Sequence, residues 1–113
     1  MYEPDKNPYY NPETMGLETI AMLEYSSGNY EFDTLVVWRE IATGKLYSMR
    51  DSGCSCPVPF EEYDSIDKLD LVNYDDFYRT VMSEKCEYLT PFEVHEFIEK
   101  VRAALTKADG EAR

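Results

Sequence analysis

Tyr30-Glu31-Phe32-Asp33-Thr34-Leu35-Val36-Val37-Trp38-Arg39-Glu40-Ile41 decides the fold class of this chain. Tyr30, Phe32, Thr34, Val36 and Trp38 alternate with Glu31, Asp33, Leu35, Val37 and Arg39, the period of a β-strand. Its first half reads as half-exposed, whereas Leu35-Val36-Val37-Trp38 reads as covered on both faces. Upstream, Leu17 to Tyr25 suits a strand that ends at the turn signal Ser26-Ser27-Gly28-Asn29. Downstream, Ala42-Thr43-Gly44 turns the chain into a third strand, Lys45 to Arg50. Connections this short join antiparallel neighbours, so the three strands form a meander.

Beyond residue 60 the apolar spacing becomes helical. Ser65 can cap a short helix carrying Ile66, Leu69 and Val72, and Asn73 a second one carrying Phe77, Tyr78, Val81 and Met82. The strongest signal is Thr90-Pro91-Phe92-Glu93, a hydroxyl cap, a proline at the first helical position and a Glu three residues after the cap. Phe92, Val94, Phe97, Ile98, Val101 and Leu105 then form an apolar stripe. Strands first and helices later predict an α+β fold. It comprises a three-stranded antiparallel meander, two short helices, and a longer C-terminal helix packed on one sheet face. The expected organisation is an extended Pro/Tyr arm over 1–16 anchored by Tyr9 and Tyr10, one domain over 17–107, and a polar tail over 108–113.

Between sheet and helices lies Arg50-Asp51-Ser52-Gly53-Cys54-Ser55-Cys56-Pro57-Val58-Pro59-Phe60-Glu61. Its density of glycine and proline predicts a specific loop after the third strand. Such a loop either leads the sheet into the helices or presents a preorganised recognition surface, with Arg50, Phe60 and Tyr63 as hot-spot residue types.

The chain of 113 residues carries 23 acids against 11 bases, a formal net charge of -12. That balance repels phosphate backbones and anionic lipid, which disfavours direct nucleic-acid or membrane-surface binding and favours basic protein partners. Half of the net charge falls between Glu61 and Tyr78, where Glu61, Glu62, Asp64, Asp67, Asp70, Asp75 and Asp76 face Lys68 alone. Glu61, Asp64, Asp67 and Asp70 recur every third residue, a drifting stripe wherever the segment is helical. A line of carboxylates can occupy a groove that normally holds phosphates, the principle of a DNA-mimicking inhibitor; it equally suits a solvated helix face. No apolar run reaches the length of a membrane span, and the first residues have no signal-peptide pattern.

Cys54, Cys56 and Cys86 read as reduced thiols, and with His95 they are the weak candidates for a tetrahedral metal site. Their spacing matches no zinc-ribbon or finger pattern, so no metal or other cofactor is expected. One histidine leaves few routes to acid–base chemistry near neutral pH, and phosphate-binding loops, dinucleotide fingerprints and nucleophile elbows are absent. A non-enzyme is expected, and no catalytic residue is assigned.

Tyr9-Tyr10-Asn11-Pro12-Glu13, Gly16-Leu17-Glu18, Phe32-Asp33, Val36-Val37-Trp38 and the Arg50–Pro57 string with Pro59-Phe60-Glu61 resemble a family of small acidic proteins from bacteriophages of actinobacteria. The resemblance covers about residues 9–73, leaves out the C-terminal helix, and implies a setting, the cytoplasm of an infected bacterium, rather than an activity. The expected function is a phage accessory protein that binds and modulates a host or phage protein. Its binding residues would be Arg50, Asp51, Cys54, Cys56, Phe60, Glu61, Tyr63, Asp64, Asp67 and Asp70. The alternatives are a small metal- or thiol-dependent protein using Cys54 and Cys56, and a minor virion or assembly component.

Overall fold

The computed structural model describes residues 7–26, 31–54, 60, 66–83 and 89–111. It is α+β: a four-stranded antiparallel sheet in sequential order, followed by two helices. The strands are β1 (Leu17–Glu24), β2 (Glu31–Glu40), β3 (Leu46–Cys54) and β4 (Asp70–Leu71), and the helices are α1 (Tyr74–Ser83) and α2 (Pro91–Glu111).

The sheet divides the interior into two cores, and β2 supplies both. Leu35 and Val37 face the helices with Ala21, Leu23, Leu46, Val81, Phe97, Ile98 and Val101. Val36 and Trp38 face the other way, with Leu17, Phe60 and Leu69, flanked by Tyr9, Met15 and Ile66. This is the alternation that left Leu35–Trp38 covered on both faces in the sequence. β1 changes faces midway. Thr19 pairs with Trp38 but Ala21 with Val37, so Ile20 is the extra residue of a bulge. The bulge reverses the parity of the strand: Leu17 enters the arm-side core, while Ala21 and Leu23 enter the helix-side core.

Several expectations are corrected. The third strand does not stop at Arg50 but continues to Cys54, with Asp51, Ser52, Gly53 and Cys54 paired to Thr34, Asp33, Phe32 and Glu31. Among the described residues this part of β3 has β2 as its single neighbour, and an edge strand accepts a glycine that a central one would not. A fourth strand, only two residues long, pairs Leu71 with Tyr47 and Asp70 with Ser48. The helix expected after Ser65 is a single 3-10 turn, Ile66–Lys68, closed by Leu69 N–H on the Ile66 carbonyl at 2.9 Å. One turn suffices to bring Ile66 and Leu69 to the arm-side core, after which the chain joins the edge of β3.

The arm is folded rather than extended over its described part. Asn7 is buried, and its Oδ1 accepts the N–H groups of Tyr9 (2.7 Å) and Tyr10 (3.0 Å). Pro12 opens a 3-10 turn over Pro12–Met15, and Gly16, at φ 72°, closes it in the left-handed region. Pro8 and Pro12 thus begin turns, each at a position with no N–H to lose. Tyr9 packs on the core as expected, whereas Tyr10 is exposed, its ring set perpendicular to that of Tyr9 with 4.9 Å between centroids.

Both helices start where the caps place them. Asn73 Oδ1 accepts Asp76 N–H at 3.3 Å, and Thr90 Oγ1 accepts Glu93 N–H at 3.1 Å. Phe77 and Val81 turn inward from α1, but Tyr78 and Met82 are exposed; from α2, Phe97, Ile98 and Val101 are buried while Phe92 is 68% exposed. The helix runs to Glu111, so the expected tail is helical over its first four residues.

Candidate functional site

Arg50 and Asp51 are neighbours on β3, so their side chains leave opposite faces of the sheet. On the helix side the Arg50 guanidinium donates to both oxygens of Asp33, Nε to Oδ1 at 2.7 Å and Nη2 to Oδ2 at 2.8 Å. Its central carbon lies 4.1 Å from the centroid of the Tyr25 ring, a cation–π contact that seats the ring. The hydrogen bond from Arg50 holds the Asp33 carboxyl below its ordinary value, against a smaller opposing effect of burial. Tyr25 is fixed from the backbone too, its N–H donating to the Asp33 carbonyl at 2.8 Å.

On the arm side, Asp51 Oδ2 accepts the N–H of Phe60 at 2.9 Å. Phe60 has φ 62°, the left-handed region that a bulky residue occupies only under constraint. The constraint is visible. Its ring is fully buried, stacked on Tyr9 (centroids 5.9 Å, planes 10° apart) and edge-on to Trp38 (5.6 Å, 88°). Trp38 Nε1–H in turn donates to the Pro8 carbonyl at 2.9 Å. The loop therefore returns Phe60 as a plug that clamps the arm onto the sheet. Phe60 is one of the expected binding residues; in this structure its ring has no accessible surface and packs inside the fold.

Glu24, unremarkable in the sequence, is the acceptor hub at this end of the sheet. Its carboxylate accepts from the hydroxyls of Ser26 and Thr34 and from the N–H groups of Ser26 (3.2 Å) and Asp33 (2.7 Å). Burial pushes its pKa up, but these hydrogen bonds outweigh it and hold the carboxyl below its ordinary value. The sequence held no signal for this hub, because the pairing of Glu24 with Thr34 appears only in the register.

Of the remaining expected site residues, Asp67 and Asp70 are exposed, on the 3-10 turn and on β4. Cys54 ends β3; its side chain, and Cys56, Glu61, Tyr63, Asp64 and Cys86, lie outside the described residues. The acids do not line one helix, because the described part of their segment is a turn, a two-residue strand and the first turn of α1, where Asp75 and Asp76 are also exposed. His95 is exposed on α2, and among the described residues no group of three or more His, Cys, Asp or Glu is placed to hold a metal ion.

The structure adds a feature that the sequence did not suggest. An apolar groove of about 270 Å³ opens between α1 and α2, over Val81, Leu89, Val94 and Ile98, with Tyr25 at its sheet end. Tyr78 and Met82, 43% and 53% exposed, stand on its α1 wall, and His95 on its α2 wall. A second depression of about 340 Å³ shares Tyr25 and Val81 with the groove and is lined by Arg50, Asp70, Asn73, Asp76 and Thr80. The signal available in the sequence was the pairing of Phe77 with Tyr78 and Val81 with Met82. Two adjacent apolar pairs span too wide an arc of a helix to be buried by one sheet.

The chain belongs to the family of the domain of unknown function DUF7574, which it matches over residues 6–111. That span takes in the arm, the sheet and both helices, so α2 lies within the family unit. No curated protein and no solved structure gave a match. Among the described residues, no helix is long and apolar enough to cross a membrane.

Proposed function

We propose that this DUF7574 chain is a non-enzymatic phage accessory protein that binds and modulates a host or phage protein in the cytoplasm of an infected bacterium. The surface it uses is acidic, and the partner offers a basic one, of the kind that otherwise holds phosphates. One observation carries this reading: every described acid of the Glu61–Asp76 segment, namely Asp67, Asp70, Asp75 and Asp76, is exposed to solvent. Glu24, Asp33 and Asp51 instead accept hydrogen bonds that fix the backbone and Arg50, a structural use inside the fold. The phage setting rests on the resemblance of the loop and arm residues.

The test is capture of partners from nuclease-treated lysate of an infected actinobacterium by the tagged chain, identified by mass spectrometry. The wild type is compared with the Asp67→Lys, Asp70→Lys, Asp76→Lys variant. A saturable protein partner is expected, its binding weakened by the reversals more at low salt than at high, because exposed charges are screened. Binding indifferent to both the reversals and salt would refute the acidic surface.

A further inference from the structure

The surface around α1 offers an apolar groove on one flank and a depression carrying Asp70 and Asp76 on the other. We infer that it takes a basic amphipathic segment of the partner protein, an apolar side chain entering the groove and a Lys or Arg reaching Asp70 and Asp76. This inference rests on the proposed function and assigns its anchoring site.

The size of the groove is the first argument. About 270 Å³ lies at the lower bound of small-molecule clefts and suits one or two large side chains of a peptide. The composition of its wall is the second. Tyr78 and Met82 are four residues apart on α1, both exposed, and tyrosine and methionine are the residue types that supply adaptable contact area at binding surfaces. Charge selects the occupant. The depression on the other flank of α1 carries Asp70 and Asp76, and the one base among its described lining residues, Arg50, is bound to Asp33. A second copy of the chain would bring a further net charge of -12 against this face, and nucleic acid or an anionic lipid surface would be repelled in the same way. A basic segment is attracted. The exposed linings flank α1, Tyr78 and Met82 on one side and Asp76 and Thr80 on the other, so a segment lying across α1 can reach both.

The experiment uses the full chain and three fluorescein-labelled model peptides: an amphipathic Lys/Leu helix, the same peptide with serine for leucine, and the same with glutamate for lysine. Binding is read by anisotropy, and contact residues by amide chemical-shift changes. The Lys/Leu peptide is expected to bind saturably and to shift α1, Leu89 and the first turns of α2. The Tyr78→Ser, Met82→Gln variant, which alters two exposed side chains without changing charge, should weaken it by about tenfold or more. Both control peptides should bind at least about tenfold more weakly. If the variant binds as the wild type does, or the Lys/Ser peptide binds as well as Lys/Leu, the groove assignment falls while the acidic surface stands. If the Glu/Leu peptide binds equally well, the acidic reading falls with it. A concentration-dependent dimer dispersed by Tyr78→Ser, Met82→Gln would overturn the inference in favour of a second copy.

Discussion

Replacing Phe60 by alanine removes a ring with no accessible surface from between Tyr9 and Trp38. Large-to-small changes of a buried phenylalanine cost about 3–5 kcal/mol, a large share of the roughly 5–15 kcal/mol that holds a domain folded. The backbone adds a second, independent signature. Phe60 sits at φ 62°, and alanine there keeps the same strain, whereas glycine relieves about 1–2 kcal/mol of it. Glycine's greater freedom in the unfolded chain takes back roughly 0.5–1 kcal/mol. Phe60→Gly should therefore equal Phe60→Ala in stability or exceed it by up to about 1.5 kcal/mol, the reverse of the order at an ordinary position. Urea unfolding followed by fluorescence of Trp38 reports both, since it is the chain's single tryptophan and lies 5.6 Å from the Phe60 ring. A double-mutant cycle with Tyr9→Ala should return a coupling of about 0.5–1.5 kcal/mol for the stacked pair. The plug is refuted if Phe60→Ala costs less than about 1 kcal/mol; the strained backbone is refuted if Phe60→Gly falls clearly below Phe60→Ala.

Two further outcomes follow from the hydrogen bonds and the titrating groups. Glu24 and Asp33 have lowered pKa values in the folded chain, so their contribution is present above the ordinary values of 4.5 and 3.8 and is lost as pH falls through the lowered ones. Tyr9, raised above 10.0 by burial and by the neighbouring Tyr10 and Glu24, contributes below pH 10 and loses its contribution above it. Melting temperature measured from pH 2 to pH 11 should thus decline at both ends, and Glu24→Gln should blunt the acid limb; an unchanged acid limb in that variant would refute the role given to Glu24. Trp38→Phe removes the indole donor to the Pro8 carbonyl, worth about 0.5–1.5 kcal/mol, and should speed amide exchange at Tyr9, Tyr10 and Asn11. Exchange unchanged at those three amides would show that the arm is held without that bond.

The strands and the caps were legible because their signals are local. Alternation over Glu31–Glu40, the turn at Ala42–Gly44, and the acceptors Asn73 and Thr90 each act within a few residues, and each appears where the pattern puts it. What could not be read depends on register. Nothing in Asp70-Leu71 alternates over a useful length, so β4 exists only because β3 leaves an edge at Tyr47 and Ser48. The bulge at Ile20 is visible only once Thr19 and Ala21 are paired with Trp38 and Val37. The candidate site was harder still. Gly, Pro and Cys density marked the Arg50–Glu61 loop as special, but not whether Phe60 faces solvent or the core. That is decided by a φ near +60° and by rings contributed from positions 9 and 38.

The division of the sheet into two faces also governs how binding variants must be interpreted. Arg50 and Asp51 act on opposite sides: one fixes Tyr25 at the sheet end of the groove, the other fixes Phe60 against the arm. They cannot belong to one contact surface, because adjacent strand residues point apart. β2 nevertheless links the sides, since Val36 and Trp38 pack on the arm while Leu35 and Val37 pack under the helices, and the Asp33 carbonyl holds Tyr25. A loosened plug therefore disturbs the groove through β2 without any partner touching the loop. Loss of binding in a Phe60, Trp38 or Asp51 variant would report on stability as much as on recognition. Tyr78 and Met82 are free of this ambiguity: they are exposed on α1 and belong to neither core, so binding lost there without loss of melting temperature is recognition itself.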